Sequence, residues 1–382
     1  MKKTLVLSAA IAALFGASAF ATEATLIDFT TLEGDLSLKV PDSDVEILQN
    51  SRTVMDYGRA AGASYSEEQK DLMKTSLYLG EWEVVLNSSA RNVTSVSQSV
   101  VVPAPVKEDA KVPFAGKAVM GVHAIFPAGA FNANCKIVPP FDIPVYEPLS
   151  TADENGNRQP SDEEQKASGR YLFEADEDET QGSPAYGVVR NVGTLKSIAV
   201  TTMGMNYPHA LYVLLKDNDN VERRYFMGYL GFDGWKTLTW NNPDYITEVR
   251  TREIRVYPIY PRGLPFVKFA GFQVVRDASH IGNDFIGYFK DVKIIYDKAV
   301  LTTERDIADE DLWGIVNTRE RAKQAIEFSR FGNKQVNRYL EKAKMATEEQ
   351  FTSSLDEGSS SNAQQNGGQA ADVQAEADMQ AE

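Results

Sequence analysis

The sequence predicts a mainly β protein: an antiparallel β-sandwich of the jelly-roll type, with C-terminal helices and a disordered tail. Three observations predict it. From Leu26 to about Val300 the apolar residues recur mostly at period two, as they do along half-buried strands. No helical pattern alternates with those strands, which favours two packed antiparallel sheets over a parallel α/β sheet. The chain also opens on an export leader, so this fold is expected outside the cytoplasm.

Taken in order, Lys2 and Lys3 supply the positive region of that leader and Thr4 to Phe15 its apolar stretch. Gly16 to Ala21 is rich in small residues and ends in Ala19-Phe20-Ala21, an A-x-A cleavage pattern. Cleavage is expected after Ala21, with Thr22 as the mature N-terminus. The apolar stretch is short of the ~20 residues a spanning helix needs. No other segment approaches that length, so no membrane insertion is expected after processing.

The strands are expected at Trp82 to Leu86, Val93 to Val102, Ala118 to Phe126, Ser197 to Met203 and Leu211 to Leu215. Others follow at Arg223 to Met227, Trp235 to Trp240, Glu253 to Tyr257, Phe266 to Val275 and Phe285 to Tyr296. Asp217-Asn218-Asp219-Asn220 has the residues of a hairpin turn. Proline-rich links such as Pro103-Ala104-Pro105 suit sheet edges and crossings.

Three stretches depart from the pattern. Ser66 to Leu79 reads as a short helix, with Leu72, Met73 and Leu77 on one face. Pro148 to Pro184 is polar and acidic, without apolar periodicity, and reads as a long insertion. Beyond Val300, Leu312, Ile315, Val316, Ile326, Val336, Tyr339 and Leu340 fall at roughly helical spacing, with Gly332 as a divider. The expected plan is therefore a leader over 1–21, a sandwich over 22–300 with an insertion at about 148–184, a helical extension over 301–350 and a tail over 351–382. From Thr352 the chain is Ser, Gln, Asn, Gly and Ala with carboxylates and no basic residue, a composition that cannot bury a core.

Charge narrows the partners. The chain carries 39 Lys and Arg against 54 Asp and Glu, a net −15, and loss of the leader removes two more cations. Without a basic block, the chain is a poor partner for nucleic acid and for anionic lipid surfaces. A neutral or cationic protein, or a glycan, fits better. Cys135 is the only cysteine, so no internal disulfide can form, and its Cys-Lys-Ile-Val context reads as a small buried hydrophobe.

The chain shows no G-x-S-x-G elbow, no glycine-rich phosphate loop, no G-x-G-x-x-G and no H-E-x-x-H. His123, His209 and His280 stand apart, and one cysteine cannot complete a local zinc site. A spatial triad around His280 is far less common than an ordinary polar histidine. The carboxylates show no privileged pair of the glycosidase kind, and most suit turns or the acidic insertion. Asp153-Glu154-Asn155-Gly156-Asn157 offers oxygens, but its glycine is misplaced for a calcium loop and a plain turn is the better reading. No catalytic residue, cofactor or metal ligand is assigned. Asn87-Ser88-Ser89 and Asn92-Val93-Thr94 match the N-glycosylation pattern, which is short and common by chance.

The aromatic residues are the best candidates for an interaction surface. Strand alternation puts Trp235 and Trp240 on opposite faces. If Trp240 shares the inward face with Leu238, then Trp235 faces outward with Thr237 and Thr239. There it would stack on a sugar or anchor a protein contact, unless a long loop covers it.

From Gly228 to Lys298 the chain reads Gly-Tyr-Leu-Gly-Phe-Asp-Gly-Trp-Lys-Thr-Leu-Thr-Trp-Asn-Asn-Pro, then Arg252-Glu253-Ile254-Arg255-Val256-Tyr257-Pro258-Ile259-Tyr260-Pro261, then Phe285-Ile286-Gly287-Tyr288-Phe289-Lys290-Asp291-Val292-Lys293-Ile294-Ile295-Tyr296. With the leader and the Leu26-Ile27-Asp28-Phe29 strand, this resembles the outer-layer (sheath) protein family of spirochaete periplasmic flagellar filaments. The resemblance covers most of Leu26 to Ala299. It implies a non-catalytic periplasmic subunit that coats a core of flagellins, associates with its own copies and contributes to motility. A second likeness, to carbohydrate-binding and galactose-binding jelly rolls, implies a galactose-binding-like fold and, as the alternative, a periplasmic glycan-binding module with Trp235 and neighbouring aromatics as its platform. A glycoside-directed enzyme is the third reading, and sugar release would be its test.

Overall fold

The computed structural model describes residues 21–39, 46–56, 65–66, 69–70, 74–129, 132–145, 150–152, 158–160, 186–254, 265–280 and 282–299, with isolated residues between 307 and 337. The chain divides into two units, Met1–Asp56 with Lys74–Phe331, and Tyr57–Met73 with Gly332–Glu382. In the second unit Ser66 begins a helical turn. Its Oγ accepts from the Gln69 amide at 3.3 Å, and its own amide donates to the Gln69 side chain at 3.0 Å. Everything below concerns the first unit.

Its described residues form 18 strands. The first five are β1 (Thr22–Asp28), β2 (Leu36–Lys39), β3 (Glu46–Gln49), β4 (Met55–Asp56) and β5 (Lys74–Thr75). The next six are β6 (Glu83–Leu86), β7 (Val100–Pro105), β8 (Ala118–Phe126), β9 (Asn134–Val138), β10 (Ser150–Ala152) and β11 (Arg158–Pro160). The rest are β12 (Val188–Arg190), β13 (Val192–Met205), β14 (Ala210–Lys216), β15 (Glu222–Tyr229), β16 (Asp233–Asn241), β17 (Phe266–Val275) and β18 (Asn283–Lys298). The described α-helices are short: α1 (Val93–Gln98), α2 (Tyr245–Ile254) and α3 (Asp309–Trp313).

Two six-stranded sheets, antiparallel in every pairing, make the sandwich. The first runs β16-β13-β18-β8-β7 with β1 also on β18, and the second runs β15-β14-β17-β9-β6 with β12 also on β17. Both are built the same way. β18 pairs along one side with β13, while on the other side β8 covers 283–289 and β1 covers 291–296. β17 likewise takes β14 on one side, and β9 and β12 end to end on the other. Gly271, at φ +138°, is where β17 comes closest to β9, and a Cβ there would collide with the Ile137 carbonyl oxygen.

The core lies between the sheets. Phe272 of β17 stacks on Phe289 of β18 at 4.4 Å, and Phe29, Trp82 and Phe269 close the cluster edge-on or tilted. Phe29 reaches it because Asp28 ends β1 by accepting from the Thr30 amide and hydroxyl, turning the chain inward. The Trp82 indole N–H is satisfied by the Leu77 carbonyl at 2.9 Å.

β18 hides a change of phase. Phe285, Gly287 and Phe289 are buried, then Val292, Ile294 and Tyr296. Thr201 pairs with Asp291 while Thr202 pairs with Phe289, so Lys290 is the extra residue of a bulge. Its ammonium bonds the Asp291 carboxylate at 2.7 Å and the Asp28 carboxylate at 2.9 Å. Burial lowers the lysine's pKa, but these two bonds outweigh it and leave the pKa above its ordinary value.

Several expected elements differ. The strand expected at Val93 to Val102 is a helical turn followed by β7. Asn92 and Ser95 form a reciprocal cap, and the Ser95 hydroxyl donates to the Ala90 carbonyl. This leaves Val93 89% exposed, so its β-branched side chain packs on nothing that would hold a strand. The strand expected from Glu253 begins instead as the end of α2, and 255–257 lie outside the described residues. The helix expected over Ser66 to Leu79 gives way to β5, which pairs with β4. Inside the acidic insertion β10 and β11 form a small hairpin, and the remainder, including Asp153 to Asn157, lies outside the described residues. Of the helical extension, α3 is described, with Leu312 and Trp313 exposed. The leader up to Phe20 and the tail from Thr352 lie outside the described residues.

Candidate binding cleft at the sandwich edge

One long side of the sandwich is formed by the edge strands β15 and β16, joined across the sheets by Leu230 to Phe232. Between them opens a cleft of about 980 Å³. Its walls follow from strand alternation. On β15, Arg223 and Tyr225 point toward the opposite sheet, while Glu222, Arg224 and Phe226 point away from it. On β16, Trp240 shares a face with buried Leu238 and meets Tyr225 at 4.8 Å, ring edge toward ring face.

The polar rim comes from turns. The expected hairpin at Asp217 to Asn220 is present, with Asn220 at φ +58° and its amide on the Asp217 carbonyl at 2.8 Å. The Asp217 side chain accepts from the amides of Asp219 and Val221 through Oδ1, and from Arg223 Nε at 2.9 Å through Oδ2. On the facing side, Asn242 donates to the Leu195 carbonyl at 2.8 Å and to Glu248 at 3.0 Å, and accepts from the Asp244 amide. α2 is moored to the first sheet by the Tyr245 hydroxyl, which bonds the Asp297 carboxylate at 2.9 Å. Burial raises the pKa of the Tyr225 hydroxyl, so Tyr225 stays a neutral donor throughout the physiological range.

The two tryptophans thus have different surroundings. Trp240 lies in the cleft. Trp235 faces outward, as alternation requires, but Phe114 from the β7–β8 loop meets it edge-on at 4.7 Å and leaves it half-buried. It is not an open platform. Sequence reading missed Tyr225 as the partner of Trp240, and Asp217 and Arg223 as members of the same cleft, because all three come from the other sheet and its turn.

Other sequence candidates are accounted for locally. His123 bonds Asp284 at 2.6 Å on the surface. His209 is fully buried against Phe126, Phe285, Tyr207 and His280. Burial, with His280 and Arg276 nearby, pushes its pKa down to about 4. His280 Nδ1 makes no hydrogen bond, so it forms no relay, and Ser279 is bonded to Asp277 instead. Cys135 is fully buried on β9, and burial pushes its thiol up to about 12, out of reach of thiolate chemistry. The Asn87 side chain holds the Asn132 carbonyl, and Asn92 caps α1. No group of metal-ligating side chains is found among the described residues, and no helix there is long and apolar enough to cross a membrane.

The fold is that of an antiparallel β-sandwich protein with an open cleft along one edge. Residues 46–305 match the family described as flagellar filament outer layer protein Flaa. The outer layer protein of Treponema pallidum (strain Nichols) is 54% identical over 354 residues, covering 93% of this chain and 97% of that one. That of Spirochaeta aurantia is 42% identical over 344 residues, covering 89% and 93%. That of Borreliella burgdorferi is 32% identical over 259 residues, covering 68% and 67%. A solved structure of TmCBM61 with β-1,4-galactotriose aligns over 57% of this chain and 90% of that one at TM-score 0.25 and 12% identity, too slight a likeness to bear on fold or ligand. The chain belongs to the flagellar filament outer layer protein family, the sheath proteins of spirochaete periplasmic flagella, which are structural and not enzymes.

Proposed function

We propose that this chain is a coat subunit that contacts both the flagellin core and neighbouring copies of itself, in the periplasm, after loss of a leader that ends at Ala21. The sandwich is read as a jelly roll of the galactose-binding type spanning 22–300, with the insertion at 148–184, the extension over 301–350 and the tail over 351–382 as additions to it. Cleavage before Thr22 leaves β1 whole on its partner β18, whereas cleavage even a few residues later trims it.

The observation that carries self-association is the contrast between the two long sides of the sandwich. On β7, Pro103 and Pro105 have no N–H to donate, which blunts that edge against pairing. β15 and β16 contain no proline, and on β15 Phe226 is 41% and Tyr229 61% exposed. A repeating coat needs head-to-tail contacts between two unlike surfaces, and two unlike edges supply them. Purified filaments should sediment with the chain in stoichiometric amount, and Tyr229→Asp, at the more exposed of the two rings, should reduce that amount while leaving the thermal midpoint in place. A chain that stays in the supernatant of intact filaments would overturn the reading. Removal of 352–382 is expected to leave sedimentation unchanged.

A further inference from the structure

We infer that the cleft between β15 and β16 is a subsite for a neutral saccharide, with the Trp240 ring as its apolar wall. This does not rest on the coat reading, since a sheath subunit could serve without it.

Three observations point to that chemistry. The first is the wall itself. Trp240 is only half-buried, and its ring is propped by Tyr225 from the opposite sheet, so it is held rigid in an open cleft rather than packed away. A fixed aromatic ring beside open space fits a ligand with a flat apolar face.

The second is the rim. Arg223 offers donors, Asp217, Asp244 and Glu248 offer acceptors, and all four stand on turns or element ends braced by the hydrogen bonds described above. A ring of hydroxyl groups, each both donor and acceptor, can satisfy such a mixed set.

The third is charge. Three carboxylates, Asp217, Asp244 and Glu248, and the cation Arg223 line the cleft, which Arg224 borders with its side chain on the outer face. Arg223 is already paired with Asp217, and Arg224 lies over the Tyr212 ring and bonds Gln273. The remaining carboxylates, Asp244 and Glu248, disfavour an anionic ligand. A neutral polar ligand escapes that penalty and, unlike a polycation, can accept from Arg223 as well as donate to the carboxylates beside it. About 980 Å³ is room for an oligosaccharide of a few units.

The probes are neutral trisaccharides of glucose, galactose, mannose and N-acetylglucosamine, and a hexalysine peptide, titrated into the full chain by saturation-transfer NMR. At least one trisaccharide should bind with a Kd near or below about 1 mM. Trp240→Ala should weaken it by about tenfold or more. Because that variant removes a half-buried ring, Thr247→Trp is the companion. It fills the cleft from an exposed helix position and should abolish binding with an unchanged thermal midpoint. Trp235→Phe should leave binding as it is. The inference is overturned if no trisaccharide binds at about 10 mM, if binding survives both cleft variants, or if hexalysine binds there more tightly than every sugar.

Discussion

Aromatic rings gather in two regions of this molecule, with opposite consequences. Between the sheets, Phe29, Trp82, Phe269, Phe272 and Phe289 pack on one another, and all are buried. At the β15–β16 edge, Tyr225 and Trp240 make an equally close contact, but water reaches Trp240 from the open side. The first cluster binds the sheets into one body. The second contributes little to that and leaves a ring surface free. Ring contacts alone therefore do not distinguish a core from a site, and solvent access does.

Substitutions can break or sharpen that contrast. Phe272→Ala removes the ring that stacks across the sheets and should cost about 3–5 kcal/mol, read as a lower midpoint in urea or heat. A loss below about 1 kcal/mol would mean that the sheets are held elsewhere.

The next largest effect follows from His209. Its pKa is about 4 in the fold against an ordinary 6.5, so between those values the unfolded chain binds a proton that the folded chain refuses. Stability should be flat above about pH 6.5 with respect to this group and fall by about 2–3 kcal/mol as pH drops toward 4. Arg276, His280, Asp277 and Tyr207 face the imidazole, and the carboxylates titrate in the same window. The test is therefore the difference between the chain and His209→Gln. The variant should lose this part of the slope, and parallel profiles would refute the assignment.

Trp235→Ala should cost about 1–3 kcal/mol, because Phe114 loses its partner on the outer face. An unchanged midpoint would mean that the β7–β8 loop leaves the ring open. Trp240→Phe should be the mildest, within about 1 kcal/mol, since a ring remains against Tyr225. A cost as large as that of Phe272→Ala would place Trp240 in the core and remove the contrast.

Much of the sandwich was legible because strands buried on one face write alternation into the sequence. Ala118–Phe126 and Phe266–Val275 match their expected bounds. What failed did so for local reasons. Valine-rich Val93–Gln98 reads as a strand, yet the hydrogen bonds of one asparagine and one serine decide for a helical turn. The bulge at Lys290 is silent in a sequence where apolar residues continue on both sides of it. The family resemblance is carried by motifs along the edge strand β16, past α2 and on the central strand β18, and the match spans 46–305. The cleft itself was not legible. Trp240 could be singled out, but periodicity describes one strand at a time. It cannot show that Tyr225, fifteen residues away and on the other sheet, would stand opposite it.

β1 fills the half of β18 that β8 leaves bare, pairing Thr22 with Tyr296. That arrangement sets a timetable. As the chain emerges from its N-terminus, whether from a ribosome or through a membrane, β1 is among the first strands out and its partner among the last of the sandwich. Until β18 arrives, β1 and β13 lack the strand that joins them and β8 into one sheet. Long-range pairing of this kind is slow and leaves apolar strands waiting. The first sheet therefore closes only after nearly the whole sandwich has been delivered. A chain halted before Asn283 should be soluble only while something else holds its unpaired strands.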